Sequence, residues 1–140
     1  MPTASFTTTI DARFEDLWAL LVDKIENPGR YVPGVIEIEI LERSGGGVLR
    51  RMRTAELTVV ERITVDEVAR TIIFGLVDHP SFEGEVVNHV NATNKGPLQL
   101  TFALNWTAKR EDDADVDLMP MVQGAVLHTK ALVERPGVLL

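Results

Sequence analysis

From Ile36 to Lys109 the chain reads as six short strands in succession, each closed by turn residues. Ile36, Ile38 and Ile40 alternate with Glu37 and Glu39, the period-two pattern of a strand with one apolar face. Gly45-Gly46-Gly47 turns the chain into a returning strand, Val48 to Thr54, and Ala55-Glu56 connects it to Leu57–Val65. Asp66 to Ala69 is a turn, Arg70 to Val77 a strand, and Asp78-His79-Pro80-Ser81 a loop. Glu83 to Thr93 is the next strand, Asn94-Lys95-Gly96-Pro97 a turn, and Leu98 to Lys109 a long last strand. Leu98, Leu100, Phe102, Leu104 and Trp106 line one face of that strand. Strands at hairpin spacing pair antiparallel, so this stretch predicts one antiparallel sheet.

Helices flank it. Thr3 to Ile10 is a Thr-rich first strand, after which Asp11 is placed to cap a helix. Phe14, Leu17, Trp18, Leu21 and Ile25 recur at helical spacing, and Asn27-Pro28-Gly29 ends the helix. Arg30 to Gly34 has room for one further helical turn. The chain closes with a helix from about Leu118 to Glu134, capped by Asp115 or Asp117 and ended by Pro136-Gly137. Pro120 falls in its first turn, where proline is tolerated. Leu118, Val122, Ala125, Val126, Thr129 and Val133 share one face of it. The order is therefore strand, helix, six strands, helix: an α+β chain with a seven-stranded sheet. No internal repeat or composition break divides residues 1–140, which predicts a single domain.

Bulk properties exclude several classes. The net charge of −7 argues against a nucleic-acid surface. No run of about 18 apolar residues exists to cross a membrane. Met1 to Ser5 lacks a basic stretch followed by an apolar one, so it is not read as a secretory signal. There is no cysteine, which removes disulfides and thiolate metal sites and fits a cytoplasmic location. His79, His89 and His128 show no ligand-like spacing with carboxylates, so no metal is expected. Gly45-Gly46-Gly47 lacks the Lys-Ser/Thr of a phosphate loop, and no Gly-x-Ser-x-Gly elbow occurs. No cofactor is expected. Glu111-Asp112-Asp113 through Asp117 reads as a solvated acidic linker.

One residue breaks the alternation in an informative way. Leu57, Val59, Ile63 and Val65 share a strand face, and Glu61 sits among them. A buried carboxylate is costly unless paired. If Ala55-Glu56 is a two-residue turn, Met52 faces Val59, Arg50 faces Glu61 and Val48 faces Ile63. Val48 and Met52 are apolar, so the phase of their own strand also turns Arg50 inward, with Arg51 and Arg53 in solvent. A one-residue change in the turn would make Arg51 the inner residue instead. Asn88 repeats the anomaly among Gly84, Val86, Val90 and Ala92.

The element order and the residues Asn27-Pro28, Val32-Pro33-Gly34-Val35, Leu49-Arg50-Arg51, Val60-Glu61-Arg62-Ile63, Gly84 with Val86 and Asn88, and Leu98 through Trp106 resemble the SRPBCC superfamily, and within it the AtaL-like family. The resemblance implies a helix-grip fold, in which a curved antiparallel sheet wraps around the C-terminal helix and leaves a hydrophobic cavity. It also implies natural-product (secondary) metabolism, without fixing one reaction.

Three functional readings follow. In the first, the cavity binds an apolar or aromatic small molecule and catalyses a cofactor-free cyclisation, isomerisation or dehydration by proton transfer. Glu61 and Arg50 are the catalytic candidates. Asn88, Trp106, Phe102, Tyr31, Met52, Val122, Val126 and Thr129 are the ligand-binding candidates, with Tyr31 beside Pro33-Gly34 as a gate. In the second, the same cavity belongs to a non-catalytic carrier or sensor. In the third, the sheet forms a homodimer and the interior is filled by Trp106, Phe102 and Met121, leaving well under the roughly 300 Å³ of a ligand site. Alongside all three stands a simpler role for Arg50–Glu61, an internal ion pair that fixes strand register.

Overall fold

The computed structural model describes residues 3–31, 34–55, 58–92 and 96–134. Strand β1 (Thr3–Ile10) leads into helix α1 (Phe14–Glu26), which is followed by a short 3₁₀ turn at Pro28–Arg30. Six strands come next: β2 (Val35–Ser44), β3 (Gly47–Thr54), β4 (Thr58–Asp66), β5 (Thr71–Leu76), β6 (Phe82–Asn91) and β7 (Leu98–Ala108). A second 3₁₀ turn at Glu111–Asp113 precedes helix α2 (Met119–Glu134). All neighbouring strands are antiparallel, in the order β1-β7-β6-β5-β4-β3-β2, and form one curved seven-stranded sheet. The helix-grip arrangement that the resemblance implied is present. Among the described residues no helix is long and apolar enough to cross a membrane.

The helices cover one face of the sheet. Leu17, Trp18, Leu21 and Ile25 are buried on α1, while Phe14 is half-buried and stacks on Trp18. Helix α2 lies over β1 and β7 and buries Val122, Val126, Thr129 and Val133. These side chains meet Ile10, Ile63, Ile72, Val90, Leu100, Phe102 and Leu104 from the inner strand faces in one core. The Asp117 carboxylate accepts a hydrogen bond from the Met119 amide at 3.0 Å, satisfying one free donor at the helix start.

The hairpin register reasoned from alternation is the observed one. Arg50 pairs with Glu61, Met52 with Val59 and Val48 with Ile63. Arg51 and Arg53 are exposed on the other face, beside Glu39 and Glu37 of β2. Ala55-Glu56 and Leu57 fall partly outside the described residues, as do the Asn94-Lys95 turn, Val32-Pro33 and the Pro136-Gly137 stop.

Two local expectations are corrected. Asp11 does not cap α1: the helix starts three residues later, with Arg13 at its N-cap and no side-chain cap. Instead the Asp11 amide donates to the Glu134 carboxylate at 2.6 Å, tying the end of β1 to α2. Ile36 does not join Ile38 and Ile40 on the inner face. A register shift between Val35 and Glu37 breaks the alternation, as bulges do on edge strands, and leaves Ile36 57% exposed.

At Gly84 the backbone of β6 runs close against that of β7. Its φ is +122°, and a Cβ there would stand 2.1 Å from the Asn105 carbonyl oxygen. That obstacle is backbone, so it cannot swing aside. Gly84→Ala is expected to lose about 3 kcal/mol of stability from strain and overlap together. Urea unfolding measures this directly, and a loss below about 0.5 kcal/mol, the scale of an ordinary surface change, would contradict it.

Candidate functional site

Helix α1 delivers an unexpected side chain to the interior. Leu17, Leu21 and Lys24 fall three or four residues apart, so they share a helix face. Lys24 is therefore buried at 9% exposure together with the apolar stripe. Its ammonium nitrogen donates to Asn88 Oδ1 at 2.9 Å and lies 4.3 Å from the centroid of the Phe102 ring and 5.4 Å from that of Phe74. The partner amide is neutral, and burial disfavours the charged amine. Burial first, then the Arg50 charge, push the Lys24 pKa down to about 7, against an opposing pull from Glu61.

Arg50 and Glu61 form the second polar element. Arg50 is 4% exposed and Glu61 8%. Arg50 Nη2 donates to Glu61 Oε1 at 2.6 Å. Arg50 Nη1 donates to the Ile25 carbonyl at 2.8 Å and reaches the Lys24 carbonyl at 3.4 Å. Those carbonyls lie in the last turn of α1, where helix geometry leaves acceptors unpaired and favours a cation. Arg50 thus ties β3 to both β4 and the C-terminal end of α1. The pair is not closed on itself. Among the described residues Glu61 Oε2 has no hydrogen-bond partner, and Arg50 Nε is buried without one.

These groups border a cavity of about 140 Å³. Lys24, Pro28, Arg50, Met52, Glu61 and Asn88 line it together with Phe74, Val86, Phe102 and Ala125. Four polar side chains from α1, β3, β4 and β6 thus converge on a space otherwise walled by apolar and aromatic groups. Among the sequence candidates, Glu61, Arg50, Asn88, Phe102 and Met52 meet here. Val122, Val126 and Thr129 do not line the cavity. They are buried where α2 crosses β1 and β7, and the Thr129 hydroxyl is spent on the Ala125 carbonyl at 2.9 Å. Trp106 lies further along β7, stacked on Phe82 at 5.1 Å with His79 at 6.3 Å, and its Nε1 is buried without a partner among the described residues. Tyr31 donates its hydroxyl to Asp23, three residues from the cavity-lining Pro28.

Other depressions lack this convergence. Two of about 560 and 640 Å³ lie on the outside, one by the β1–α1 connection and one along the outer side of α1. One of about 290 Å³ lies between α1 and the β2–β3 turn, where Glu26 and Arg43 pair with each other. His79 sits in the β5–β6 loop with Nδ1 accepting from the Ser81 and Phe82 amides, His89 is exposed beside Thr71, and His128 is exposed on α2. Among the described residues no group of three His, Asp or Glu side chains is spaced to hold a metal ion.

Comparison with known proteins places this geometry in context. The family described as acetylaranotin biosynthesis cluster protein L matches residues 7–131. No curated protein sequence matches the chain. Among solved structures, the ZhuI aromatase/cyclase from Streptomyces sp. R1128 is 23% identical with a TM-score of 0.62, over 97% of this chain and 86% of that one. The di-domain ARO/CYC StfQ from the steffimycin biosynthetic pathway is 16% identical with a TM-score of 0.69, over 96% of this chain and 45% of that one. Ara h 8.0201 is 21% identical with a TM-score of 0.68, over 94% and 96% of the two chains. At these identities the structures share the fold.

Proposed function

The chain belongs to the AtaL family, and we propose that it binds a small aromatic or alicyclic molecule in the cavity between α1, α2 and the sheet. In this reading it acts on that molecule by proton transfer in a natural-product pathway. The observation that carries the proposal is the convergence of Lys24, Arg50, Glu61 and Asn88 on one apolar-walled space. A buried ion pair that serves register alone gains nothing from an open edge, whereas Glu61 Oε2 leaves an acceptor available to a ligand hydroxyl or an acidic C–H. Arg50 and Asn88 add donors for a carbonyl oxygen on which charge develops. The homologous-fold cyclases support the reading as an analogy of scaffold.

Cavity size sets the scale of the ligand. At about 140 Å³ the space is close to the roughly 150 Å³ of an apolar cavity that accepts benzene, so it takes one ring or the reactive end of a longer molecule. The same number is the specific observation that favours the third reading, the interaction module, because it falls below the roughly 300 Å³ of ordinary ligand sites. The filling expected of such a module is only partly matched. Phe102 borders the cavity, but Met121 is 52% exposed and Trp106 packs elsewhere.

Phenol is a suitable probe, followed by titration calorimetry with the purified protein. In Glu61→Gln the amide oxygen keeps the Arg50 bond, so an NH₂ donor replaces the acceptor at Oε2. The phenol Kd is expected to rise about tenfold, the value of one hydrogen bond to a charged group. An unchanged Kd in a folded variant removes Glu61 from the binding site.

A further inference from the structure

We propose that Lys24 is a reactive amine that captures a single-ring aldehyde or ketone as a Schiff base inside the cavity, an inference that rests on the ligand-binding reading above. The argument starts from what surrounds the nitrogen. Among the described residues its one hydrogen-bond partner is the neutral amide oxygen of Asn88. Aromatic faces of Phe102 and Phe74 flank it, and the Arg50 guanidinium lies near enough to repel a second positive charge. The acid on the same wall, Glu61, already has one oxygen committed to Arg50. A desolvated lysine beside another cation is the arrangement that frees an amine lone pair at neutral pH. A structural lysine would instead pair with a carboxylate, as Lys130 does with Glu134 on the surface of α2.

The chemistry balances with groups at hand. The Lys24 lone pair attacks the carbonyl carbon, the C=O π pair moves to oxygen and takes a proton, and nitrogen gives up one of its own. The resulting carbinolamine loses its hydroxyl as water while C–N becomes C=N. Amine plus carbonyl compound gives imine plus water, with no change of oxidation state. Glu61 Oε2, unpartnered among the described residues, lines the same cavity and can carry the proton between the two steps. The volume of about 140 Å³ limits the carbonyl compound to one ring at the reacting end.

The test is reductive trapping. The full chain is incubated at pH 7.5 with benzaldehyde and sodium cyanoborohydride, digested and mapped by mass spectrometry. An ordinary lysine is only about one part in a thousand neutral at that pH. Lys24 is therefore expected to carry the benzyl group at least about tenfold faster than Lys95, Lys109 or Lys130, with the preference suppressed by excess phenol. Labelling of the other lysines with Lys24 unmodified, or modified no faster than they are, overturns the proposal. If phenol binds the cavity in that case, the amine alone fails and the ligand-binding reading stands. If phenol does not bind either, both fall. Because the readout is on the native protein, no variant has to fold for the result to count.

Discussion

Arg50→Ala is expected to lower the unfolding free energy by about 3–5 kcal/mol, measured by urea unfolding at pH 7. Arg50 holds Glu61 Oε1 at 2.6 Å and the Ile25 carbonyl at 2.8 Å from the interior. Truncation strands a carboxylate that is 8% exposed and removes the cation from the C-terminal end of α1. Lys24 moderates the cost, because losing the Arg50 charge lets its amine protonate and face Glu61 as a counter-ion. The lower half of the range is therefore expected. The double variant Arg50→Met/Glu61→Leu should recover most of the loss, since an apolar pair of similar volume is often as stable as a buried ion pair. A single variant within about 1 kcal/mol of the parent would mean that Glu61 is solvated in solution and that the interior pair is not formed.

Lys24→Met is expected to remove a pH dependence rather than only shift a stability. The Lys24 pKa of about 7 in the folded chain lies below its ordinary value of 10.5. Between those values the unfolded chain binds more protons, so stability rises with pH across that window, by at most about 1.4 kcal/mol per unit. Below about pH 7 the cost of burying the amine is fully present, and it is relieved as pH rises toward 10.5. Replacement by methionine abolishes this component. At pH 6 the variant gains up to about 5 kcal/mol from the charge term and loses about 1–3 kcal/mol because Asn88 Oδ1 is left without its donor. The net is a variant about 3 kcal/mol more stable at pH 6 and no more stable than the parent above pH 10. Arg50 and Glu61 face the same amine, so the difference between the two proteins, not either curve alone, isolates Lys24. Parallel stability curves from pH 6 to 10 would contradict a buried amine.

What could be read before folding follows from how local each feature is. The β3–β4 register was legible because two independent phases, Val48-Met52 on one strand and Val59-Ile63 on the other, point Arg50 and Glu61 to the same side. Asn88 was legible from a single phase, that of its own strand, where it shares a face with Val86 and Val90. Ile36 was not, because a bulge on the edge strand β2 resets the alternation and nothing in Ile-Glu-Ile-Glu signals it. Lys24 carried a signal that apolar counting passes over: it is three residues beyond Leu21 and seven beyond Leu17, on the buried side of α1. For α2 the periodicity identifies which face is buried but not what it is buried against. Val122, Val126 and Thr129 pack over β1 and β7, and only Ala125 of that helix reaches the cavity. Trp106 shares the inner face with Phe102 yet stands four residues, about 13 Å, further along β7. The cavity volume depends on rotamers and helix placement together, and neither is encoded in a pattern of alternation.

The most direct test of the account is chemical-shift mapping with phenol on isotopically labelled protein. The side-chain amide of Asn88, the Nε–H of Arg50 and the methyl and aromatic signals of Met52 and Phe102 are expected to move together and saturate along one binding curve. Each of these groups borders the same space, so a ligand within it must perturb them all. Shifts confined to the outer grooves beside α1, with Asn88 and Arg50 unmoved at saturating phenol, would contradict the claim that this cavity is the binding site.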